Sequence, residues 1–225
     1  MQQLTMEPLH EKAFNALRHA LRSGRFKPGD AMTIRGLGQE LGISATPVRE
    51  ALQRLIVAQA LQLQPNRTIM VPVLTRSRFQ ELTKIRLRLE GLAAQEATPN
   101  LTNRHFQELR DHHAAMSVAI ERHQFNDYLT HNEKFHFTFY DAANMPFLRQ
   151  MIDLSWLQIG PWLNILASEG RFHSTANTMH GDMLEMAIAH DAEGVRDALH
   201  RDILETGRIL IEFLDSETSA AKAAS

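Results

Sequence analysis

Twelve histidines and not one cysteine stand among the 225 residues. Any transition-metal site in this chain must therefore be built from imidazole, carboxylate and amide donors. A disulfide framework, a Cys-ligated zinc and a thiol nucleophile are all excluded. Two histidines occupy positions where apolar residues belong. Helical spacing gives an inward stripe of Phe125, Leu129, Asn132, His136, Phe139 and Ala143, in which two polar residues one turn apart interrupt an apolar seam. Similar stripes hold His180 before Leu184 and Ala187, Asp202 between Leu199 and Thr206, and Arg86 between Leu82 and Leu89.

A charge buried without a partner costs several kcal/mol or shifts its pKa until it is neutral. Arg86 and Asp202 thus need partners, either each other or a histidine in a satisfied core network, or a site between helices. In the second reading His136, His180, the Asp202 carboxylate and the Asn132 carbonyl surround one divalent metal. Asn132 and His136, at i and i+4, share a helix face as two ligands on one helix must. Two imidazoles and a carboxylate with open positions suit zinc, nickel, manganese or iron. Arg86 would supply the fork for a ligand's carboxylate. His112, His113 and His123 are expected in solvent on polar faces, and Trp156 and Trp162 in the core or an interface.

A second set of residues lies near the N-terminus. The run Ser44-Ala45-Thr46-Pro47-Val48-Arg49-Glu50 opens a helix. It places hydroxyls and a guanidinium at a helix N-terminus, where phosphates and base edges are met. Arg35 can reach a phosphate or a guanine, and Arg67, at a hairpin tip, a minor groove.

The elements that must position these residues are mostly helical. Phe14, Leu17 and Leu21 lie at helical spacing in Pro8–Arg22, which stops at Ser23-Gly24. Thr33 and Ser44 are placed to cap two short helices, with Gly42 between them. One strand pair follows, at Leu61–Gln64 and Ile69–Val73. From Thr75 on, helices are expected at about 75–97, 102–122, 125–143, 146–168, 175–190 and 192–214. Gly160-Pro161 is expected to kink or split the fourth of these. The fold class is mainly α: an N-terminal winged helix-turn-helix with a two-stranded wing, then an all-α antiparallel helical bundle. The boundaries read 1–74 for the first domain, 75–78 for a linker, 79–215 for the bundle and 216–225 for a frayed tail.

Charge divides the same way. Residues 1–75 carry nine Lys/Arg against five acids, and the remainder fifteen against twenty-one, with ten of the twelve histidines. A basic reader of a polyanion joined to an acidic sensor fits this asymmetry. No apolar run approaches the roughly 18 residues of a membrane span, and the first residues lack a secretory layout. A cytoplasmic protein without membrane contact is expected.

Three runs carry a family resemblance: Gly24-Arg25-Phe26-Lys27-Pro28-Gly29, Leu37-Gly38-Gln39-Glu40-Leu41-Gly42-Ile43-Ser44, and Thr46-Pro47-Val48-Arg49-Glu50-Ala51-Leu52-Gln53-Arg54-Leu55. They closely resemble the GntR family of bacterial transcription regulators. Through Pro65-Asn66-Arg67 and the helical remainder, the chain is similar to the FadR-type branch. The resemblance implies a DNA-binding homodimer on a pseudo-palindromic operator, controlled by a small organic acid. It also implies a metal set of one Asp and three His, onto which Asn132, His136, His180 and Asp202 fall. Asn132 and Asp202 depart from that set. Ala45 stands where many relatives have a base-reading arginine, and Thr68 where they usually have glycine. Both departures bear on which operator is read. The match of Arg86 and Glu90 to an Arg-x-x-x-Glu motif supports Arg86 as an effector contact.

Two other functions fit parts of the sequence: a metalloenzyme built on the two-His, one-carboxylate set, and a DNA-binding protein with a purely structural bundle. The first has no general base placed with its ligands and leaves the basic module unused. The second leaves four polar interruptions unexplained. A non-enzymatic, ligand-responsive regulator is the leading expectation.

Overall fold

The computed structural model describes residues 8–168 and 174–223. The N-terminal unit contains α1 (Leu9–Arg22), β1 (Ala31–Met32), α2 (Ile34–Leu41), α3 (Ala45–Val57), β2 (Gln62–Leu63) and β3 (Ile69–Met70). Thr33 caps α2, its hydroxyl accepting from the Gly36 amide, and Gly42 ends it at φ 66°, in the left-handed region that favours glycine. Ser44 holds the N-cap position of α3 but its side chain makes no capping hydrogen bond. The hydroxyl stays exposed. Ala13, Leu17, Leu21, Leu37, Val48, Leu52, Leu55 and Val71 form the core of this unit.

The wing differs from the expected strand pair. The sheet has three strands in the order β1-β3-β2, both pairings antiparallel. Met32 lies opposite Ile69, and Leu63 flanks Ile69 on the other side. A two-residue strand is too short to show a period of two, so β1 is invisible to pattern reading.

The helical unit comprises α4 (Arg76–Ala97), a 3₁₀ turn (Thr98–Asn100), α5 (Asn103–Glu121), α6 (Phe125–Ala142), α7 (Pro146–Ser168), α8 (Ser174–Ile188) and α9 (Ala192–Ala223). Thr75 caps α4 by accepting from the Arg78 amide. Residues 76–78, read from sequence as a linker, are therefore the first helical turn. The helix α9 runs on to Ala223 through the stretch expected to fray. Its alanines are the strongest helix formers and continue a helix already nucleated by packing.

Gly160-Pro161 does not split α7, which continues to Ser168. The glycine is there for a close approach instead: a Cβ at Gly160 would collide with the carbonyl oxygens of Leu21 and Arg22 at the end of α1. The two units are packed together at this point, and Leu157 of α7 belongs to the apolar cluster of the N-terminal unit. The main core lies between α4, α5, α6, α7, α8 and α9.

Candidate functional site

On the N-terminal unit, the amphipathic helix α3 buries Pro47, Val48, Ala51, Leu52 and Leu55. Its opposite face leaves Ser44, Thr46 and Arg49 in solvent. Arg35, in the first turn of α2, is exposed as well. Arg67, at the wing tip, adopts φ 64° in a turn closed by Arg67 N–H to Gln64 O and Gln64 N–H to Thr68 O. The left-handed residue of this wing is thus Arg67 itself, and Thr68 is not in that region. Arg22, Arg25 and Arg54 of the same unit are held by carboxylates. No ion pair to Arg35, Arg49 or Arg67 occurs among the described residues. Exposed, unpaired guanidiniums around a helix N-terminus form a surface for an extended polyanion.

Inside the bundle, α6, α8 and α9 bring His136, His180 and Asp202 together. All three are buried, and one donor atom from each lies within 4.8 Å of the others. His136 Nε2 is 3.1 Å from His180 Nε2. Asp202 Oδ2 lies 3.5 Å from the first nitrogen, and Oδ1 3.9 Å from the second. Asn132 is buried one turn before His136 on α6. His200 turns away, its ring nitrogen 2.7 Å from the Leu87 carbonyl oxygen.

Burial pushes the His180 imidazole down to about 3, helped by nearby His113. It likewise pushes His136 well below its ordinary value, with His180 and Arg86 adding to the effect. Both rings are neutral at pH 7, the form that ligates metals. Burial raises the Asp202 carboxyl to about 7, against the opposing pull of Arg86. His180 Nδ1 and the Trp156 indole nitrogen are buried without a hydrogen-bond partner among the described residues.

Arg86 lies beside this centre but is not free. Its Nε donates to Glu90 Oε1 at 2.6 Å and its Nη2 to Oε2 at 3.3 Å. Burial works against its charge, but the Glu90 carboxylate, with Tyr140 and Asp202 adding to it, raises its pKa on balance. Its guanidinium also covers Trp156, which packs on His136. Tyr140 closes the ring: its hydroxyl donates to Glu90 at 2.5 Å and lies 3.4 Å from His136 Nδ1. Among the described residues, the hydrogen bonds of this guanidinium run from Nε and Nη2. The alternative partners considered from sequence, Asp202 or a histidine, are thus not what holds Arg86.

Sequence reading did not find Glu90, Tyr140 and Trp156 as members of this centre. Glu90, four residues after Arg86 on the same face, carried the signal for the first. Nothing in spacing alone distinguishes the two aromatics from ordinary core. His112 and His113, expected in solvent, are half-buried: His112 meets His131 at 3.2 Å, and His113 reaches the Asn177 carbonyl at 3.1 Å.

Comparison with known proteins assigns each of the two units to a family. Residues 9–71 match the bacterial regulatory proteins of the gntR family, and residues 81–205 match the FCD domain. The chain is 36% identical over 190 residues to the HTH-type transcriptional regulator McbR of Escherichia coli (strain K12), covering 82% of this chain and 85% of that one. The solved structure of E. coli McbR/YncC superposes with a TM-score of 0.84 at 32% identity, over 92% of this chain and 99% of the other. A transcriptional regulator from Rhodococcus sp. RHA1 shares the fold, with a TM-score of 0.74 at 19% identity, over 90% and 97% of the two chains. These relatives are regulators, not enzymes, and the metalloenzyme alternative is set aside. With its winged helix-turn-helix, its FCD domain and this coverage, the chain belongs to the GntR family of DNA-binding transcription regulators.

Proposed function

We propose that Arg35, Ser44, Thr46, Arg49 and Arg67 read a double-stranded operator, with two copies of the chain on two half-sites. Work on operator DNA supports a cytoplasmic location. In the same reading, Asn132, His136, His180 and Asp202 hold one divalent transition metal. A small carboxylate-bearing effector then engages the metal and the Nη1 side of Arg86, and its binding controls operator affinity.

The observation that carries the metal is the spacing of three buried donors. Ligand bonds of 2.0–2.1 Å in a tetrahedron put neighbouring donor atoms about 3.3 Å apart. Here the two ring nitrogens are 3.1 Å apart, the nearer carboxylate oxygen to His136 is Oδ2 at 3.5 Å and to His180 Oδ1 at 3.9 Å, and one donor atom from each residue lies within 4.8 Å of the others. The carboxylate is too far from both rings for the 2.7–2.9 Å typical of charge-assisted hydrogen bonds. The two rings are within hydrogen-bond distance of each other while the carboxylate stands off from both, a cluster that a metal ion could draw together. A bound metal supplies a Lewis acid for a carboxylate, and zinc, nickel, manganese and iron all suit these donors. An effector shifts operator binding only through different affinities for the two protein states.

Elemental analysis of protein purified without chelators tests this reading. Up to one divalent ion per chain is expected, and His136→Ala and His180→Ala should each remove it. Absence of any ion, together with no uptake on titration, overturns the metal.

The homodimer rests on an apolar surface. Helix α7 exposes Phe147, Met151 and Leu154 at i, i+4 and i+7, and its neighbour α4 exposes Ile85 and Leu92. Apolar side chains repeated along one helix face suit a second copy of the chain, with the same patch on each subunit.

A further inference from the structure

The docking of α1 on the helical unit is built from buried charge rather than from a loose linker. Arg22, in its last turn, binds two carboxylates at once: Nη2 reaches Glu133 Oε1 of α6 at 2.7 Å, and Nη1 bonds Asp153 Oδ1 of α7. His19 Nδ1 lies 2.9 Å from Glu133 Oε2, and Arg18 lies 3.5 Å from Asp153. The guanidiniums of Arg22 and Arg149 lie over the Phe137 ring, at 4.4 and 4.0 Å from its centre. The Asn164 amide of α7 donates to the Gly24 carbonyl just beyond α1. Glu133 keeps only 4% of its side-chain surface exposed, and Arg22 and Asp153 10% each. Removing one member would leave an uncompensated buried charge, so the joint resists partial loosening.

Position on α6 gives this joint its meaning. Glu133 directly follows Asn132 and precedes His136 by three residues, so the helix that offers two candidate ligands also grips α1. The other side of α1 packs on α3, which carries Arg49. A helix moves as a stiff body, and a tilt of α6 at Asn132 and His136 is felt at Glu133 within one turn. We propose that Glu133 is the coupling residue of this regulator. Through Arg22 it ties the α6 centre to α1 and the recognition helix, so that site occupancy and operator binding bias each other. This proposal rests on the reading that the centre takes a metal, and it concerns a positioning role, not a ligand.

Coupling between two sites is reciprocal, which supplies the test on the full chain. Zinc affinity is measured by calorimetry with and without an operator duplex selected from a random pool. Operator affinity is measured with and without zinc, for wild type and Glu133→Gln. Wild type should show one common factor of about tenfold in both directions, and E133Q a factor near one. A merely structural role would lower stability and leave the factor intact. Full coupling in E133Q, or none in wild type, overturns the proposal. Should E133Q fail to fold, Arg22→Gln breaks the same pair from the other side and is read identically. Failure of wild-type protein to bind zinc would sink the metal reading alone. The coupling is then decided by hydrogen exchange: operator binding should slow exchange across residues 132–136 in wild type but not in the variant. Equal responses, or none, would overturn it.

Discussion

At Asp202 a carboxyl held near neutrality sits 3.5 Å from an imidazole that cannot take its proton. Burial raises the acid to about 7 while it drives the His136 and His180 rings down. At pH 6, then, the acid is mostly protonated and both rings are neutral. A metal must displace the carboxyl proton and finds none to displace on the histidines. Zinc uptake measured calorimetrically in buffers of different ionisation enthalpy should release about one proton per chain at pH 6 and close to none at pH 8. Release of two or more protons at pH 6 would mean that the histidines are charged in the folded protein. Arg86 shows the converse case. Its type and its place on an inward face were legible in the sequence, but its fork is occupied by Glu90. A motif names a pair of residues; only the rotamers say whether they serve each other or a ligand.

At the scale of elements, the recognition role proposed for α3 rests on one amphipathic pattern that separates its two faces. Val48, Ala51, Leu52 and Leu55 are fully buried, and each large apolar side chain so placed contributes roughly 1.5–3 kcal/mol. Their loss would unfold the unit, whereas Arg49 on the exposed face can be removed without touching the core. Arg49→Ala should weaken operator binding by about 1–3 kcal/mol and reduce the salt slope by up to about one unit, with the thermal midpoint unchanged. Unchanged operator affinity in a salt titration would take Arg49 off the interface. The helix positions came out of the sequence readily, since long apolar stripes with threonine caps and glycine stops mark them. β1 did not, because its two residues owe their strand to pairing with β3. The unbroken α7 is similar: Gly160-Pro161 predicts a kink or a split, but the helix, packed against α1, α4 and α6, is not split there.

For the whole molecule, the two units behave as neighbours with a shared joint rather than as beads on a linker. Arg22, Glu133 and Asp153 bury opposite charges between them, and Leu157 lends its side chain to the other unit's core. Among the described residues no helix is long and apolar enough to cross a membrane, and α7 exposes an apolar stripe at Phe147, Met151 and Leu154. In the proposed homodimer, a Met151→Glu substitution puts two like charges into the symmetric interface. It should shift the sedimentation of purified protein from dimer to monomer and lower affinity for a two-half-site operator while retaining the fold. A variant that sediments as wild type would place the dimer contact elsewhere.

What the sequence determined by itself was periodic or local. Apolar spacing, caps and turn residues set the helices, and the polar interruptions in four stripes picked out Arg86, Asn132, His136, His180 and Asp202. Those signals survive in a single chain because each depends on residues within a few turns of one another. Tertiary structure alone decided which interruptions meet. It set His136 against His180 and Asp202 across three helices, closed Arg86 onto Glu90 and Tyr140, and joined Glu133 to Arg22 over more than a hundred residues of sequence. The physical reason is the same in each case: a buried charge must find a partner, and which partner lies within reach depends on how the helices pack.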